Sequence, residues 1–286
     1  MTSTATTVSS QIEQASAPVG LLRQYEQVRG FTHTLASPLS AEDCAIQSMA
    51  DVSPTRWHLA HTTWFFETFV LKPAGNYQAF DPSFEYLFNS YYNSIGEQYP
   101  RSQRGLISRP GLEQVLAYRR HVDERMSQLL AEEGRLTPDL LNIVQLGLQH
   151  EQQHQELILT DIKHVLSCSP LYPAYAQAEP RESAAIGNGQ RADLQDLPWN
   201  TLDAGVYEIG HQGDAFCFDN ERPRHRTFIE ACEVAGRPVS CGEYLRFIED
   251  GGYRRPEFWL SLGWQTVQQQ GWQAPLYWVQ RDGRWQ

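Results

Sequence analysis

Hydrophobic positions recur at helical spacing in four segments of the N-terminal half of the chain. In order, these segments cover residues 21–35, 54–72, 110–133 and 138–167. Three of them begin at a proline, which loses no needed hydrogen bond in the first turn of a helix. Ser53 and Thr137 precede two of these prolines and are suited to cap the free N–H groups there. Four long helices predict an antiparallel bundle.

The remaining segments differ in character. Residues 1–18 are polar and predict a disordered tail, and residues 19–169 form the predicted bundle. The connection over residues 74–109 is long and rich in Tyr, Asn, Gly and Ser, which is typical of a functional loop. Residues 170–198 lose the apolar period and predict a linker, whereas residues 199–286 alternate short apolar pieces with turn residues. The predicted fold class is therefore α+β: a helical bundle followed by a mixed domain.

Composition narrows the function classes. The 286 residues carry a net charge of −11, which argues against a general nucleic-acid binder because phosphate binding needs clustered Lys and Arg. The N-terminus lacks the pattern of a signal peptide, and no apolar run is long enough to predict a membrane span. The five cysteines are scattered without a CxxC pair, which disfavours a thiolate zinc site and a disulfide framework. We expect a cytoplasmic protein that binds neither membrane nor nucleic acid.

Two histidines on the fourth predicted helix suggest a metal site. His150 and His154 are four residues apart, so both imidazoles lie on one helix face, and that face is mostly apolar. A third candidate is His61 on the second helix, which is flanked by Trp57 and Trp64 at apolar spacing. His58, on a neighbouring face, is expected to be an ordinary polar-side histidine. Facing helices of a bundle commonly contribute metal ligands in this way.

The string HEQQH also matches the HExxH pattern of zinc proteases, in which Glu151 would be the general base. The extended pattern requires a glycine and a histidine further along the helix, where this chain has Leu157 and Asp161. Three neutral imidazoles without a thiolate leave open coordination positions and suit zinc, iron or nickel. The spacing alone does not choose among these metals.

Several motifs in a fixed order resemble a known family. They are SPTRWHLAHTTWFFE, YLFNSYYNSIGEQYPRSQRGLISRP, YRRHVD, LGLQHEQQHQELILTDIKH and then DNERPRHR with RPVSCGEYLRFIEDGGYRRPEFWL. The helical part resembles the DinB-like superfamily, and the whole run from about residue 20 resembles the EgtB-type sulfoxide synthases of ergothioneine biosynthesis. In that family the last motifs belong to a domain similar to the formylglycine-generating enzymes, a C-type-lectin-like α/β domain.

The resemblance implies an Fe(II) centre on His61, His150 and His154. It implies an oxygen-dependent reaction that joins a thiol, γ-glutamylcysteine or cysteine, to Nα-trimethylhistidine (hercynine) and forms a sulfoxide. Arg101 and Arg104 would bind the thiol's carboxylate, since two guanidiniums three residues apart are suited to a bidentate clamp. Gln153 would lie near the betaine. Four aromatic residues are candidates for cation–π contact with the quaternary ammonium, namely Tyr91, Tyr92, Trp57 and Trp64.

Two other functions remain open from the sequence. One is a DinB-like thiol transferase that uses zinc or nickel to activate a thiolate. The other is a truncated metal-binding remnant, or a subunit that needs a partner chain. Members of the family are expected to continue beyond residue 286, where their proton-donor tyrosine would lie, so we expect this chain to bind iron, whereas the sequence leaves open whether it completes the reaction.

Overall fold

The computed structural model describes residues 18–90, 92, 94–132, 134–176 and 197–286. The chain divides into two units, Met1–Gln177 and Ala178–Gln286. Residues 1–17 of the predicted disordered tail and residues 177–196 of the predicted linker lie outside the described residues. Pro18, which was assigned to the tail, is instead the first residue of a helix.

Six α-helical segments make up the described part of the N-terminal unit. In chain order they are α1 (Pro18–Ala36), α2 (Thr55–Phe66), α3 (Lys72–Ala74), α4 (Phe84–Phe88), α5 (Leu112–Ala131) and α6 (Pro138–Ser167). A π-helical turn, Glu67–Leu71, joins α2 to α3, so helical backbone continues from one into the other. The four long helical stretches therefore lie where the hydrophobic pattern predicts them.

The helix starts agree with the predictions to within three residues, but not always for the predicted reason. Thr137 caps α6 as predicted, because its side chain accepts a hydrogen bond from the backbone N–H of Leu140 at 3.3 Å. Ser53 does not cap α2, since Pro54 occupies the cap position. Ser53 instead donates its backbone N–H to Asp161 and accepts a hydrogen bond from Arg104. It therefore helps to build the cavity described below.

Residues 74–109, predicted as a long connection typical of a functional loop, include regular structure. This connection contains α4 and a 3-10 helix, Arg101–Leu106. The two aromatic ends of α4, Phe84 and Phe88, are buried in the core, which explains why the segment is so aromatic. Asn89 donates to the backbone carbonyls of its own loop and so ties it together. The connection is thus held against the helices by apolar and polar contacts.

Helix α2 is the centre of the N-terminal unit. Every residue from Trp57 to Phe66 is buried, and α4, α5 and α6 all pack against α2 while α1 packs on α5 and α6. A helix that is apolar or neutral all round is typical of such a central position.

Gly147 sets the closest approach between α6 and α2. A Cβ atom at this position would lie 2.6 Å from Phe66 and 2.8 Å from Phe65. We predict that Gly147→Ala lowers the free energy of unfolding by about 1–3 kcal/mol, because the two rings must move. Urea unfolding followed by far-UV circular dichroism measures this change.

Gly30→Ala on α1 is the matched control, since an added Cβ there meets nothing within 4 Å. It should stabilise the protein by up to about 1 kcal/mol, because alanine favours the helix interior. Equal effects of the two substitutions would contradict the close packing of α6 on α2.

The described part of the C-terminal unit, residues 197–286, contains short strands and two α-helices. Its elements in chain order are β1 (Trp199–Leu202), β2 (Gly205–Ile209), β3 (His225–Ile229), β4 (Cys232–Ala235), α7 (Cys241–Glu249), α8 (Ser261–Gln270), β5 (Gln280–Arg281) and β6 (Arg284–Trp285). Three antiparallel pairs form: β1 with β4, β2 with β3, and β5 with β6. The α+β class is therefore confirmed, and the likeness of this unit to the formylglycine-generating enzymes stays a prediction.

No helix in the described ranges combines the length and apolar character that a membrane span requires.

Candidate metal centre

The three predicted histidines meet between two helices of the N-terminal unit. His61 comes from α2, and His150 and His154 come from one face of α6. The Nε2 atom of His150 lies 3.3 Å from Nε2 of His61 and 3.1 Å from Nε2 of His154. One nitrogen of each ring lies within 4.8 Å of the other two. The packing of α2 on α6 thus brings together residues that are distant in sequence.

Hydrogen bonds fix which nitrogen of His61 faces this centre. His61 Nδ1 lies 2.6 Å from the carbonyl oxygen of Phe88, and a carbonyl only accepts hydrogen bonds. Nδ1 therefore carries the proton, and the lone pair of Nε2 points toward His150. A backbone carbonyl behind a ligand histidine is a common way to orient a metal-binding imidazole.

The prediction that His58 is an ordinary polar-side histidine is wrong. His58 is 2% exposed, and its Nδ1 lies 2.8 Å from Nδ1 of His154. Its Nε2 lies 3.0 Å from Asp161 Oδ2. The error arises because α2 is buried on all sides, so a residue on a neighbouring face of the helix also points inward.

Aromatic and cationic groups enclose His61. Trp57 stacks on its ring with centroids 4.6 Å apart and an angle of 11° between the planes, and Trp64 stacks with centroids 5.6 Å apart. The guanidinium carbon of Arg104 lies 3.4 Å from the centroid of the Trp57 ring. These flat contacts restrict the rotation of His61, so that its nitrogen is held in place before any ligand binds.

Burial favours the neutral form of all three imidazoles. It lowers the pKa of His150 to about 4. It also lowers the pKa values of His61 and His154 well below their usual value, and the neighbouring histidines lower them further. Neutral imidazoles are the form that binds metal ions.

The three histidines fit a divalent metal ion. With metal–nitrogen bonds of about 2.1 Å, two ligands about 90° apart would be separated by about 3.0 Å, close to the two distances that involve His150. The Nδ1 atom of His150 is buried and has no hydrogen-bond partner among the described residues. A shared cation would satisfy nitrogen lone pairs that otherwise face one another.

A cavity of about 290 Å³ opens beside these nitrogens. The three other predicted site residues, Arg101, Arg104 and Gln153, all line it. Arg104 is buried and donates hydrogen bonds to Ser53 and Ser90, whereas Arg101 and Gln153 are exposed. The structure therefore places all six predicted site residues around one cavity.

The four aromatic candidates for a quaternary ammonium differ in their access to this cavity. Trp64 is fully buried in the core, and Trp57 is 3% exposed with its ring already in contact with His61 and Arg104. Tyr92 is half-buried and lines the cavity. Tyr91 lies outside the described residues. Among the three of these residues that the structure describes, Tyr92 is therefore the one whose ring is partly exposed at the cavity.

Comparison with known proteins agrees with this architecture. Residues 24–158 match the family model of the DinB superfamily. The matched range contains all three histidines and both cavity arginines. The DinB-like unit therefore carries the whole candidate metal centre.

Three relatives are proteins named hercynine oxygenase. The protein from Mycolicibacterium thermoresistibile is 26% identical over 264 residues, which are 90% of this chain and 54% of that protein. The protein from Mycobacterium tuberculosis is 28% identical over 265 residues, 92% of this chain and 58% of that protein. The protein from Mycolicibacterium smegmatis is 42% identical over 133 residues, 46% of this chain and 29% of that protein. The resemblance that the motifs indicated is therefore confirmed, and the chain spans little more than half the length of the first two relatives.

The zinc-protease interpretation of HEQQH fails within the DinB-like unit. Glu151 is fully buried and forms ion pairs with Arg29, at 2.9 Å, and with Arg119. Burial alone would raise the pKa of Glu151, but Arg119 and Arg29 together lower it to about 2. A carboxylate held by two guanidiniums is not free to act as a general base at the metal.

The low histidine pKa values predict how the metal-free protein responds to acid. The pKa of His150 falls from 6.5 to about 4 on folding, so the unfolded chain binds a proton more tightly than the folded chain does. The contribution of this group to stability is therefore complete above pH 6.5 and is lost as the pH falls toward 4. Urea unfolding at a series of pH values measures the resulting slope.

His150→Gln should reduce that slope, because a neutral amide replaces the titrating group. His33→Gln, at an exposed position on α1, should leave it unchanged. The carboxylate of Glu151 loses its contribution to stability only as the pH falls below its ordinary pKa of 4.5. The effect of His150 begins at a higher pH, near 6.5, so the two contributions can be told apart along the pH series. An unchanged slope in His150→Gln would contradict the burial of this ring.

Proposed function

We propose that this chain binds Fe(II) at His61, His150 and His154 and takes part in an oxygen-dependent C–S bond formation between a thiol and hercynine. One observation carries the proposal: the three nitrogens converge in a cavity that Arg101, Arg104 and Gln153 also line. The two relatives that match most of this chain are named hercynine oxygenase, which supports the proposal. The thiol is γ-glutamylcysteine or cysteine.

The choice of iron rests on the donor set and on the relatives. Three neutral imidazoles leave open coordination positions, and imidazole donors suit iron as well as zinc and nickel. The relatives are oxygenases, and zinc has no redox chemistry to offer such a reaction. Bound iron(II) would supply the redox chemistry and the open positions for oxygen and substrates.

The two arginines are the proposed binding site for the thiol's carboxylate. Arg104 is fixed by Ser53, Ser90 and Trp57, so its guanidinium is ordered before the substrate arrives. Arg101 donates a hydrogen bond to the backbone carbonyl of Asp51 and presents an exposed second cation at the same cavity. A carboxylate between two such groups is bound by charge-assisted hydrogen bonds.

Hercynine requires different contacts, because it carries both a carboxylate and a quaternary ammonium. Gln153 offers a neutral amide that repels neither charge, and it lies one residue before the ligand His154. Tyr92 offers a ring for cation–π contact with the ammonium.

Arg101→Gln tests the carboxylate site. We predict that the KM for the thiol rises about tenfold, because one charge-assisted contact is lost, while the KM for hercynine stays the same. Arg109→Gln is the control on the same connection, since Arg109 is exposed and donates a hydrogen bond to the backbone carbonyl of its neighbour Ser108. Equal KM values for the thiol in wild-type and Arg101→Gln would refute this role.

Product formation tests the proposal as a whole. The protein is purified without oxygen, loaded with Fe(II), and mixed with hercynine and either thiol before oxygen is admitted. Mass spectrometry should show the thiol–hercynine sulfoxide, and protein loaded with zinc should yield none. Iron-loaded protein that yields no sulfoxide with either thiol would refute the proposed activity.

A further inference from the structure

A chain of two hydrogen bonds runs from Asp161 through His58 to the ligand histidine His154. The bonds are 3.0 Å between Asp161 and His58, and 2.8 Å between His58 and His154. His58 is 2%, His154 7% and Asp161 9% exposed. Water therefore competes little for these contacts, and the two bonds hold the rings in defined positions.

The direction of each bond follows from donor and acceptor chemistry. Asp161 Oδ2 accepts the backbone N–H of Ser53 at 2.8 Å and, as a carboxylate oxygen, also accepts from His58 Nε2. A neutral imidazole has one N–H, so His58 Nδ1 is an acceptor. His154 Nδ1 must then donate, which leaves the lone pair on His154 Nε2, the atom that lies 3.1 Å from His150.

We propose that His58 and Asp161 are positioning residues for the metal: they hold His154 in the tautomer and ring orientation in which Nε2 binds the ion. His58 does for His154 what the Phe88 carbonyl does for His61. Such partners of ligand histidines commonly change metal affinity 10- to 100-fold when removed. The inference rests on the proposed metal centre but not on the proposed reaction.

A purely structural role for His58 predicts a different pattern of effects. If its bonds served only stability, then replacing His58 would lower the thermal stability and leave metal affinity alone. Replacing His58 alone leaves Asp161 and His154 without this partner and costs stability under either role, so metal affinity is the measurement that separates the two roles. A positioning role therefore predicts weaker metal binding in a protein that remains folded.

The tautomers are measured directly in the metal-free protein. Long-range ¹H–¹⁵N correlation spectra of the histidine-labelled chain distinguish Nδ1–H from Nε2–H rings. We expect Nδ1–H for His154 and His61, and Nε2–H for His58. A proton on Nε2 of His154 would overturn the proposal, whatever the outcome of the activity assay.

Metal affinity provides the second measurement, with Co(II) alone as the probe. His58→Phe keeps the ring volume and removes both bonds; we expect Co(II) to bind about 10- to 100-fold more weakly with an altered visible spectrum. Asp161→Asn retains an acceptor and should weaken binding less. His121→Phe is the control, because His121 is on α5 and contacts Tyr77 and Phe80.

Wild-type affinity and spectrum in His58→Phe would overturn the proposal. If His58→Phe does not fold, then Asp161→Asn decides, and unchanged Co(II) affinity in that variant has the same meaning. Absence of sulfoxide from the iron-loaded wild-type protein would refute the proposed function alone, since neither measurement here depends on turnover.

Discussion

We expect that replacement of His61 with alanine abolishes stoichiometric iron binding. His61 is the only one of the three proposed ligands that α2 contributes, and the remaining pair comes from a single helix. Losing a ligand should weaken binding by more than the roughly 100-fold that loss of a supporting partner causes. Anaerobic Fe(II) titration, followed by desalting and metal analysis, gives the stoichiometry.

His61→Ala also removes a ring from between Trp57 and Trp64, so helix content must be recorded by circular dichroism. His61→Gln fills more of that space and should lose iron as well. His33→Ala changes an exposed histidine and should keep one iron per chain. Retention of stoichiometric iron in a folded His61 variant would remove this residue from the site.

Replacement of Glu151 with leucine destabilises the N-terminal unit by about 3–5 kcal/mol. Glu151 is fully buried between Arg29 and Arg119, each of which is 4% exposed. Removing the carboxylate leaves buried guanidinium charge without its partner, which is far more costly than losing a surface ion pair. Arg29 keeps one partner, Asp123, at 2.6 Å. Urea unfolding followed by far-UV circular dichroism measures the loss.

Glu156→Leu is the matched control on the same helix, because Glu156 is exposed. Its effect should stay within about 0.5 kcal/mol. Where Glu151→Leu remains folded, it should still bind iron, since Glu151 points away from the three nitrogens toward the arginines. A loss of stability no larger than in the control would show that the buried ion pairs are not formed.

The convergence of the three candidate metal ligands could be predicted from sequence because local spacing determines much of their arrangement. The spacing of His150 and His154 puts both on one face of any helix. His61 was identified from its apolar neighbours, which indicate the inward face of the second helix. The arginine pair was identified through its position in a family motif, and the structure places both side chains at the cavity.

The positioning residues could not be predicted in the same way. Whether His58 is buried depends on how many helices surround α2, and a periodicity shows only one inward face. A signal was present: Arg56 is the single charged residue of α2, which is unusual for a helix with a solvent-facing side. Asp161 is more than 100 residues away in sequence, so its contact with His58 appears only in the folded chain.

The buried ion pairs were missed for a related reason. Charged residues on a helix are usually solvated, and Arg29, Arg119 and Glu151 lie on three different helices. Their contact requires the particular packing of α1 and α5 on α6, which no local pattern specifies. The HExxH string suggested that Glu151 is a general base, whereas its carboxylate forms ion pairs with Arg29 and Arg119.

X-ray absorption at the iron edge tests the central claim most directly. The wild-type chain is loaded with one equivalent of Fe(II) without oxygen, and the spectrum is compared with that of His61→Gln treated in the same way. The account predicts three imidazole nitrogens around a bound ferrous ion in the wild-type protein and no ordered imidazole shell in the variant. Sulfur ligands, or an identical spectrum from both proteins, would contradict it.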